Sequence, residues 1–230
     1  MQQAGLSEKT EHRPIQAIKE LVIRGSADVF VKRGEPSMTV TASNPEDVIT
    51  EIRSGVLTIS TRPTVMIGGG RMDGLIGGGL HIGSIVGGTV TIHHGRPGDV
   101  VVGGVMCGQR VVVEITLPEL PAARVEGSGD LNFEDLCQDE IEWAVTGAGT
   151  IRATGRVNRL AVAISGSGNV NAKNLVASIA EFRISGAGDI KAQVTQSLTA
   201  RVSGVGNIKV WGNPAKRDTR VSGCGDICFK

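Results

Sequence analysis

Aromatic side chains are scarce in this chain: tyrosine is absent, and aromatic residues make up 3% of the 230 positions. A surface that stacks on nucleic-acid bases needs such rings. The formal net charge is only +1, so no overall field attracts a polyanion such as DNA. The sequence also lacks an apolar run long enough to cross a membrane. We therefore predict neither a nucleic-acid partner nor a membrane span.

Cysteine is also sparse, and its spacing gives no metal-binding signature. Only one close pair occurs among the four cysteines, Cys107, Cys137, Cys224 and Cys228. Their redox state depends on the compartment, which the sequence leaves open. The segment from Met1 to Arg13 is polar and lacks the apolar stretch of a signal peptide. A cytoplasmic chain and a secreted chain without its leader both fit that observation.

Glycine, in contrast, is abundant at 33 residues, and much of it belongs to a repeat. The motif Gly-x-Gly, then Asp, Asn or Thr, then Leu, Ile or Val, recurs six times at intervals of 18 to 20 residues. The copies are 127–131, 147–151, 166–170, 186–190, 204–208 and 223–227. Repeats of this length cannot bury an apolar face alone, so neighbouring repeats must stack.

The residues that flank each motif alternate between apolar and polar side chains, which is the period of a β-strand. Val145 and Ile151 show the apolar positions on either side of one motif. Each repeat therefore reads as strand, glycine corner, strand. The predicted fold is all-β: a parallel, right-handed β-helix (a β-solenoid) formed by a single chain, with about 19 residues per coil. We expect the corner glycines to supply positive φ angles.

Composition divides the chain into three parts. Residues 1–20 form a polar N-terminal segment, residues 21–118 a β-rich portion, and residues 119–230 the six-repeat β-helix. The middle part contains a glycine-rich insert at 67–108 whose role and order the sequence does not define. Its glycine triplets lack the Gly-Lys-Ser/Thr of a phosphate-binding loop. His93, His94 and Cys107 in this insert more often mark a solvated surface than a metal site.

The residue that follows the second glycine of each motif forms a column of small polar side chains. We interpret this column as a corner ladder in which these side chains hydrogen-bond between coils. A calcium site is the alternative, although calcium-binding solenoids have about half this period and a leading Gly-Gly pair. The corner ladder consists of Asp130, Thr150, Asn169, Asp189, Asn207 and Asp226, in which no two Asp are neighbours.

Two further columns precede the corner and face outward by alternation. They are a solvated sheet face whose charge protects the edges, or a shallow binding site for an acidic glycan or another anionic surface polymer. The candidate binding stripe consists of the basic residues Arg183, Arg201 and Arg220 with the hydroxyl residues Ser185, Ser203 and Ser222.

Catalysis has little support in this pattern. Glycosidases need two carboxylates that flank a cleft. The outward strand carboxylates Glu126, Glu142 and Glu181 are predicted to fall in different columns, so they form no pair across coils. We therefore predict no catalytic residue, no cofactor and no metal.

The motifs resemble those of a known family. The lead-in Val-Ile-Arg-Gly-Ser-Ala-Asp-Val (22–29), the segment Ile-Thr-Leu-Pro (115–118) and the GSGD-type repeats are similar to the putative auto-transporter adhesin head GIN domain family. That resemblance covers roughly residues 20–60 and 110–230. It implies a bacterial β-helical domain of unknown function, at the cell surface or otherwise outside the cytoplasm. It implies an adhesive role and supplies no catalytic residues.

Three functions remain as hypotheses. The first is a non-enzymatic, adhesin-like or surface-associated module that serves binding or structure. The second is a self-assembling structural solenoid, because the last motif lies close to Lys230 without a helix to cover the final coil. The third is a polysaccharide-active enzyme. The partner is then a surface glycan, a protein, or a second copy that contacts the end of the solenoid.

Overall fold

The computed structural model describes residues 8–61, 65–67, 92–94, 100–105 and 110–230. The chain forms two compact units: residues 1–61 with 110–230, and residues 62–109. In the described parts, no helix is long and apolar enough to cross a membrane.

The first unit consists of strands with one 3-10 turn. Its earlier strands are β1 (Lys9–Arg13), β2 (Glu20–Arg24), β3 (Asp28–Arg33), β4 (Ser37–Ala42), β5 (Val48–Arg53) and β6 (Val56–Thr61), with the 3-10 turn at Pro45–Asp47. The second unit contributes β7 (Val65–Ile67), β8 (Ile92–His94) and β9 (Val100–Val105). The first unit continues with β10 (Val112–Leu117), β11 (Ala122–Val125), β12 (Leu131–Val145), β13 (Thr150–Ile164), β14 (Asn169–Ile184), β15 (Ile190–Val202), β16 (Ile208–Trp211), β17 (Lys216–Val221) and β18 (Ile227–Phe229).

The repeats stack as parallel coils, which confirms the predicted β-solenoid. Strands β12 to β15 pair in parallel along most of their length, with register shifts at the bends. Equivalent residues lie side by side, and each inward position forms an apolar column. The column after the corner is fully buried and consists of Leu131, Ile151, Val170, Ile190 and Ile208.

The glycine corners are closed by contact between coils and not by unusual backbone angles. A Cβ on Gly188 would overlap the carbonyl oxygen of Gly168 one coil earlier, and a Cβ on Gly147 would overlap that of Gly127. All six motifs lie in the described residues, and none of their glycines has a positive φ. The expectation of positive φ at these corners was therefore wrong. Glycine is needed because the backbones approach too closely for any side chain.

A further corner lies far earlier in the chain. Residues Gly25, Ser26 and Ala27 join β2 to β3, and these strands pair in parallel with β11 and β12. The backbone N–H groups of Ser128 and Gly129 donate to the Gly25 carbonyl oxygen. The lead-in segment is thus a coil of the same stack, with Ala in place of the second glycine.

The chain then closes one end of the stack by reversing direction. Strand β10 lies between β3, to which it is parallel, and β4, to which it is antiparallel. Likewise, β6 pairs in parallel with β2 and antiparallel with β5. Strands β4 and β5, joined by the 3-10 turn, therefore form a reversed coil. The outermost strand β1 pairs antiparallel with β4.

Arg13 fixes β1 to this reversed coil. Its guanidinium donates to the carbonyl oxygens of Val48 (2.6 Å) and Pro45 (2.8 Å) and to the Thr50 hydroxyl (3.0 Å). It also donates to Glu11 at 3.0 Å, and this hydrogen bond lowers the pKa of that exposed carboxyl group. Charged residues therefore line this edge of the sheet, which protects it against strand addition.

Two aromatic rings of the buried core stack on each other. Trp143 is fully buried, on the inward side as the alternation predicts, and stacks on Phe133 with 5.6 Å between ring centroids. The Trp143 indole N–H has no hydrogen-bond partner among the described residues.

In the second unit, β9 pairs antiparallel with both β7 and β8. Most of the glycine-rich insert 67–108, including Cys107, lies outside the described residues. The same holds for the side chains of His93 and His94. The sequence boundaries 21–118 and 119–230 stay predictions.

The corner contact yields a stability prediction. We expect Gly188→Ala to lower the free energy of unfolding by about 1–3 kcal/mol, because the new methyl group must displace the Gly168 backbone. Thermal denaturation followed by circular dichroism measures this change. Ala187→Ser is the matched control: Ala187 is exposed, and serine occupies its equivalent position in two other motifs. Equal melting temperatures for the two variants would contradict the packing argument.

Candidate functional site

The corner ladder is a chain of hydrogen bonds that all run in one direction. The side-chain Oδ1 of one coil accepts the backbone N–H of the next ladder residue. Asp130 accepts from Thr150 (3.0 Å), Asn169 from Asp189 (3.0 Å), Asp189 from Asn207 (2.8 Å) and Asn207 from Asp226 (3.2 Å). These amides lie at the corner, where they would otherwise need another acceptor.

One step differs because threonine has no carbonyl-type oxygen to offer. The N–H of Asn169 donates to the Gly149 carbonyl oxygen (3.2 Å) instead of to Thr150. At the step from Asp189 to Asn207 the contact is doubled, since the Asn207 amide also donates to Asp189 Oδ1 at 3.1 Å.

The additional corner extends this column by one aspartate. Asp28 immediately precedes Val29, which pairs with Leu131, so Asp28 stands beside Asp130. Two aspartates are therefore neighbours in the stack, unlike in the six-motif column. Each carries its own arginine: Arg110 lies 3.3 Å from Asp28, and Arg152 lies 2.7 Å from Asp130. The pairing indicates that adjacent carboxylates in this column need a counter-ion.

The arginine–serine groove, formed by the six residues of the candidate stripe, lies on the sheet face before the corner. Arg183, Arg201 and Arg220 occupy one register position in three successive coils. They line a depression of about 540 Å³ together with Ser165 and the three serines of the stripe. The structure thus brings all six predicted residues together.

Carboxylates of the protein lie beside two arginines of the groove, and backbone carbonyl oxygens lie beside two of its serines. Arg183 donates to Glu181 at 2.6 Å, and Arg201 lies 3.9 Å from Asp218. Both arginine side chains remain more than half exposed, at 65% and 58%. Arg220 has no ion pair with a described residue. The hydroxyls of Ser185 and Ser203 lie 3.4 Å from carbonyl oxygens of the preceding coil, so their oxygens can still accept.

The outward carboxylates differ from the sequence-based expectation. Glu142 pairs with Ala161, and Ala161 pairs with Glu181, so these two glutamates share one column, two coils apart. The prediction of separate columns was wrong, because each glutamate lies five residues before the first glycine of a motif and the strands stay in register from there to the corner. Both residues are exposed, and Glu181 is bound by Arg183. Glu126 lies in another column and pairs with Arg24 at 2.7 Å.

A second depression, of about 620 Å³, was not predicted from the sequence. It lies where the segment 118–122 passes the bend of β12, and Glu142 lines it but Glu181 does not. Arg33 holds this bend by donating to the carbonyl oxygens of Pro118 and Cys137, both at 3.1 Å. These bonds join segments without any repeated motif, so no sequence signal marks them.

Groups of metal ligands are not found in the described residues, where no three His, Cys, Asp or Glu side chains converge. Cys137, Cys224 and Cys228 are exposed free thiols.

Comparison with known proteins places these features in a family. Residues 17–214 match the family model described as "Putative auto-transporter adhesin, head GIN domain". No curated protein matches the chain.

Solved structures share the fold. A putative adhesin from Bacteroides fragilis has a TM-score of 0.63 at 17% identity, with 97% of each chain covered. A putative adhesin from Parabacteroides merdae has a TM-score of 0.52 at 17% identity, covering 99% of this chain and 97% of its own. A third putative adhesin, from Parabacteroides distasonis, has a TM-score of 0.52 at 17% identity and 97% coverage of both chains.

The corner ladder can be tested by exchanging charge for amide. We expect Asn207→Asp to destabilise the protein by about 1 kcal/mol, because a donating amide becomes a carboxylate beside Asp189 and near Asp226. Asp189→Asn should be nearly neutral, since its carbonyl oxygen still accepts both hydrogen bonds. Thermal melts of both variants, with and without calcium, show which of the two is more stable. If the ladder were a calcium site, Asn207→Asp would be the more stable variant in calcium, because an added carboxylate strengthens calcium binding.

Proposed function

This chain belongs to the putative auto-transporter adhesin head GIN domain family, and we propose that it is a non-enzymatic binding module that holds an acidic polymer in its arginine–serine groove. The site of action is the cell surface or another place outside the cytoplasm. The observation that carries the proposal is the row of three arginines, each from a successive coil, above a row of hydroxyl groups.

The spacing of the groove suits a linear ligand. Neighbouring coils lie about 4.8 Å apart, so the guanidinium groups form a row along the solenoid axis, perpendicular to the strands. A guanidinium presents a planar fork of N–H donors that binds a carboxylate or a phosphate through two hydrogen bonds. A polymer with one acidic group per repeating unit can therefore contact several arginines at once, while the serine oxygens accept from its hydroxyl groups.

The aromatic residues favour an acidic glycan over a neutral one. Neutral sugars commonly pack on an exposed ring, but Trp143 is fully buried. Trp211 is only partly exposed, and the Lys173 ammonium lies 4.9 Å from its ring centroid. Charge and hydroxyl groups are thus the main means of recognition that this face offers.

Glu181 and Asp218 act as internal counter-ions in the free protein. They hold Arg183 and Arg201 in position and must yield to the acidic groups of the ligand. Binding should therefore depend strongly on salt, because the attraction between exposed charges decays over about 8 Å at physiological ionic strength and over shorter distances as the salt concentration rises.

Binding to polygalacturonate tests the proposal. We expect Arg201→Gln, at the centre of the row, to weaken binding about tenfold, which corresponds to the loss of one charged hydrogen-bonded contact. Calorimetry at low and moderate salt measures the affinity. Arg159→Gln is the matched control, because Arg159 is exposed on the same solenoid but lies outside the groove. Equal effects of both variants, or equal binding of neutral dextran, would refute the groove. Polyphosphate in a parallel titration separates phosphate from carboxylate recognition.

The absence of catalysis is tested with the same polymer. Glu142 and Glu181 share a column, but only Glu142 lines the depression beside β12, so the two carboxylates do not flank a common cleft that could hold a glycosidic bond between acid and base. We expect no release of reducing ends or unsaturated products after prolonged incubation. Cleavage that disappears in Glu142→Gln or Glu181→Gln would show that the module is an enzyme.

A further inference from the structure

The apolar core changes character in the last described coil. In β17, Arg217 takes the register position of Leu198, and Thr219 takes that of Ala200. Leu198 and Ala200 are buried in the core, at 1% and 0% exposure. Two neighbouring inward columns of this face are apolar through the preceding coils, and they therefore end in a charged residue and in a hydroxyl residue.

Arg217 is held over the core at the last described coil by three contacts. Its guanidinium carbon lies 4.1 Å from the centroid of the Phe229 ring, which packs against the core and is partly buried. Its Nε donates to the Pro214 carbonyl oxygen at 3.1 Å, and a terminal nitrogen donates to Asn213. A guanidinium that stacks on a ring covers apolar surface while its edge stays hydrated.

A head-to-tail contact would pair this end of the stack with the opposite end of a second copy, and it would not continue the sheet with all strands parallel. The edge strands of that opposite end run in mixed directions, because β5 is antiparallel to the coils, whereas β17 and β18 are parallel to the strands beside them. A tail-to-tail contact that aligns the two cores must pair inward residues of β17 with inward residues of β17 in a second copy, and it therefore brings the charge of Arg217 into the joint between the cores.

We propose that Arg217 closes this end of the core and thereby keeps the protein monomeric. An inward-pointing charge at a sheet end is a known means of preventing edge-to-edge association. Arg217 does this by covering Phe229, so the end carries a latent contact surface for a second copy. This proposal is the opposite of the sequence-based hypothesis of assembly through the solenoid end, and the oligomeric state decides between the two.

Oligomeric state tests the proposal, with the full chain in each case. We expect the unmodified protein to elute as a monomer in size-exclusion chromatography with light scattering. Arg217→Leu should at least double the apparent mass at the same concentration, because it restores an apolar inward residue and uncovers Phe229. Lys216→Leu is the matched control: it removes one positive charge from the neighbouring, exposed position of β17 and should remain monomeric.

Arg217→Met serves if the leucine variant does not fold, since it keeps the length of the side chain without its charge. Circular dichroism establishes the β-fold of each variant before its mass is compared. Self-association of the unmodified protein would overturn the proposal. So would a folded Arg217 variant that remains monomeric, or a Lys216→Leu variant that associates equally.

Discussion

The distance between successive coils at the glycine corner is the constraint on which the remaining structure depends. The backbone of each corner lies so close to the preceding one that a single methyl group would overlap a carbonyl oxygen. With the corners held in contact, equivalent residues of every coil are brought into register. Apolar positions then form continuous buried columns, and outward positions form rows of like side chains. Both the core and the arginine row follow from that register.

Much of this fold was predictable because the six motifs recur at nearly constant spacing. The inward columns and the arginine and serine rows follow from the motif and the alternation of strands. The additional corner at Gly25 was not recognised as a coil, because Ala27 replaces a glycine and β4 to β10 intervene before the next copy. The column shared by Glu142 and Glu181 could also have been found from the sequence, because both residues lie five positions before the first glycine of a motif.

The contacts of individual side chains were less accessible to sequence reasoning. That Glu181 would bind Arg183, or that Arg217 would lie over Phe229, depends on rotamers and on loop paths such as the one through Pro214. The direction of the corner ladder likewise depends on which backbone amide points toward which oxygen. Period and composition define where a side chain emerges, but local geometry decides what it meets.

The position of β10 between β3 and β4 has a consequence for how the protein folds during synthesis. Strands β3 and β4 are separated by only a short turn and are made together, but in the native sheet each pairs with β10. Strand β10 is made only after residues 62–109. Any pairing between β3 and β4 must therefore be absent, or must open, when β10 is inserted between them. Coils downstream of β12 pair with the coil made just before them, so they can add one after another in the order of translation. The contacts between residues far apart in the sequence, which slow folding, are therefore concentrated at the N-terminal end.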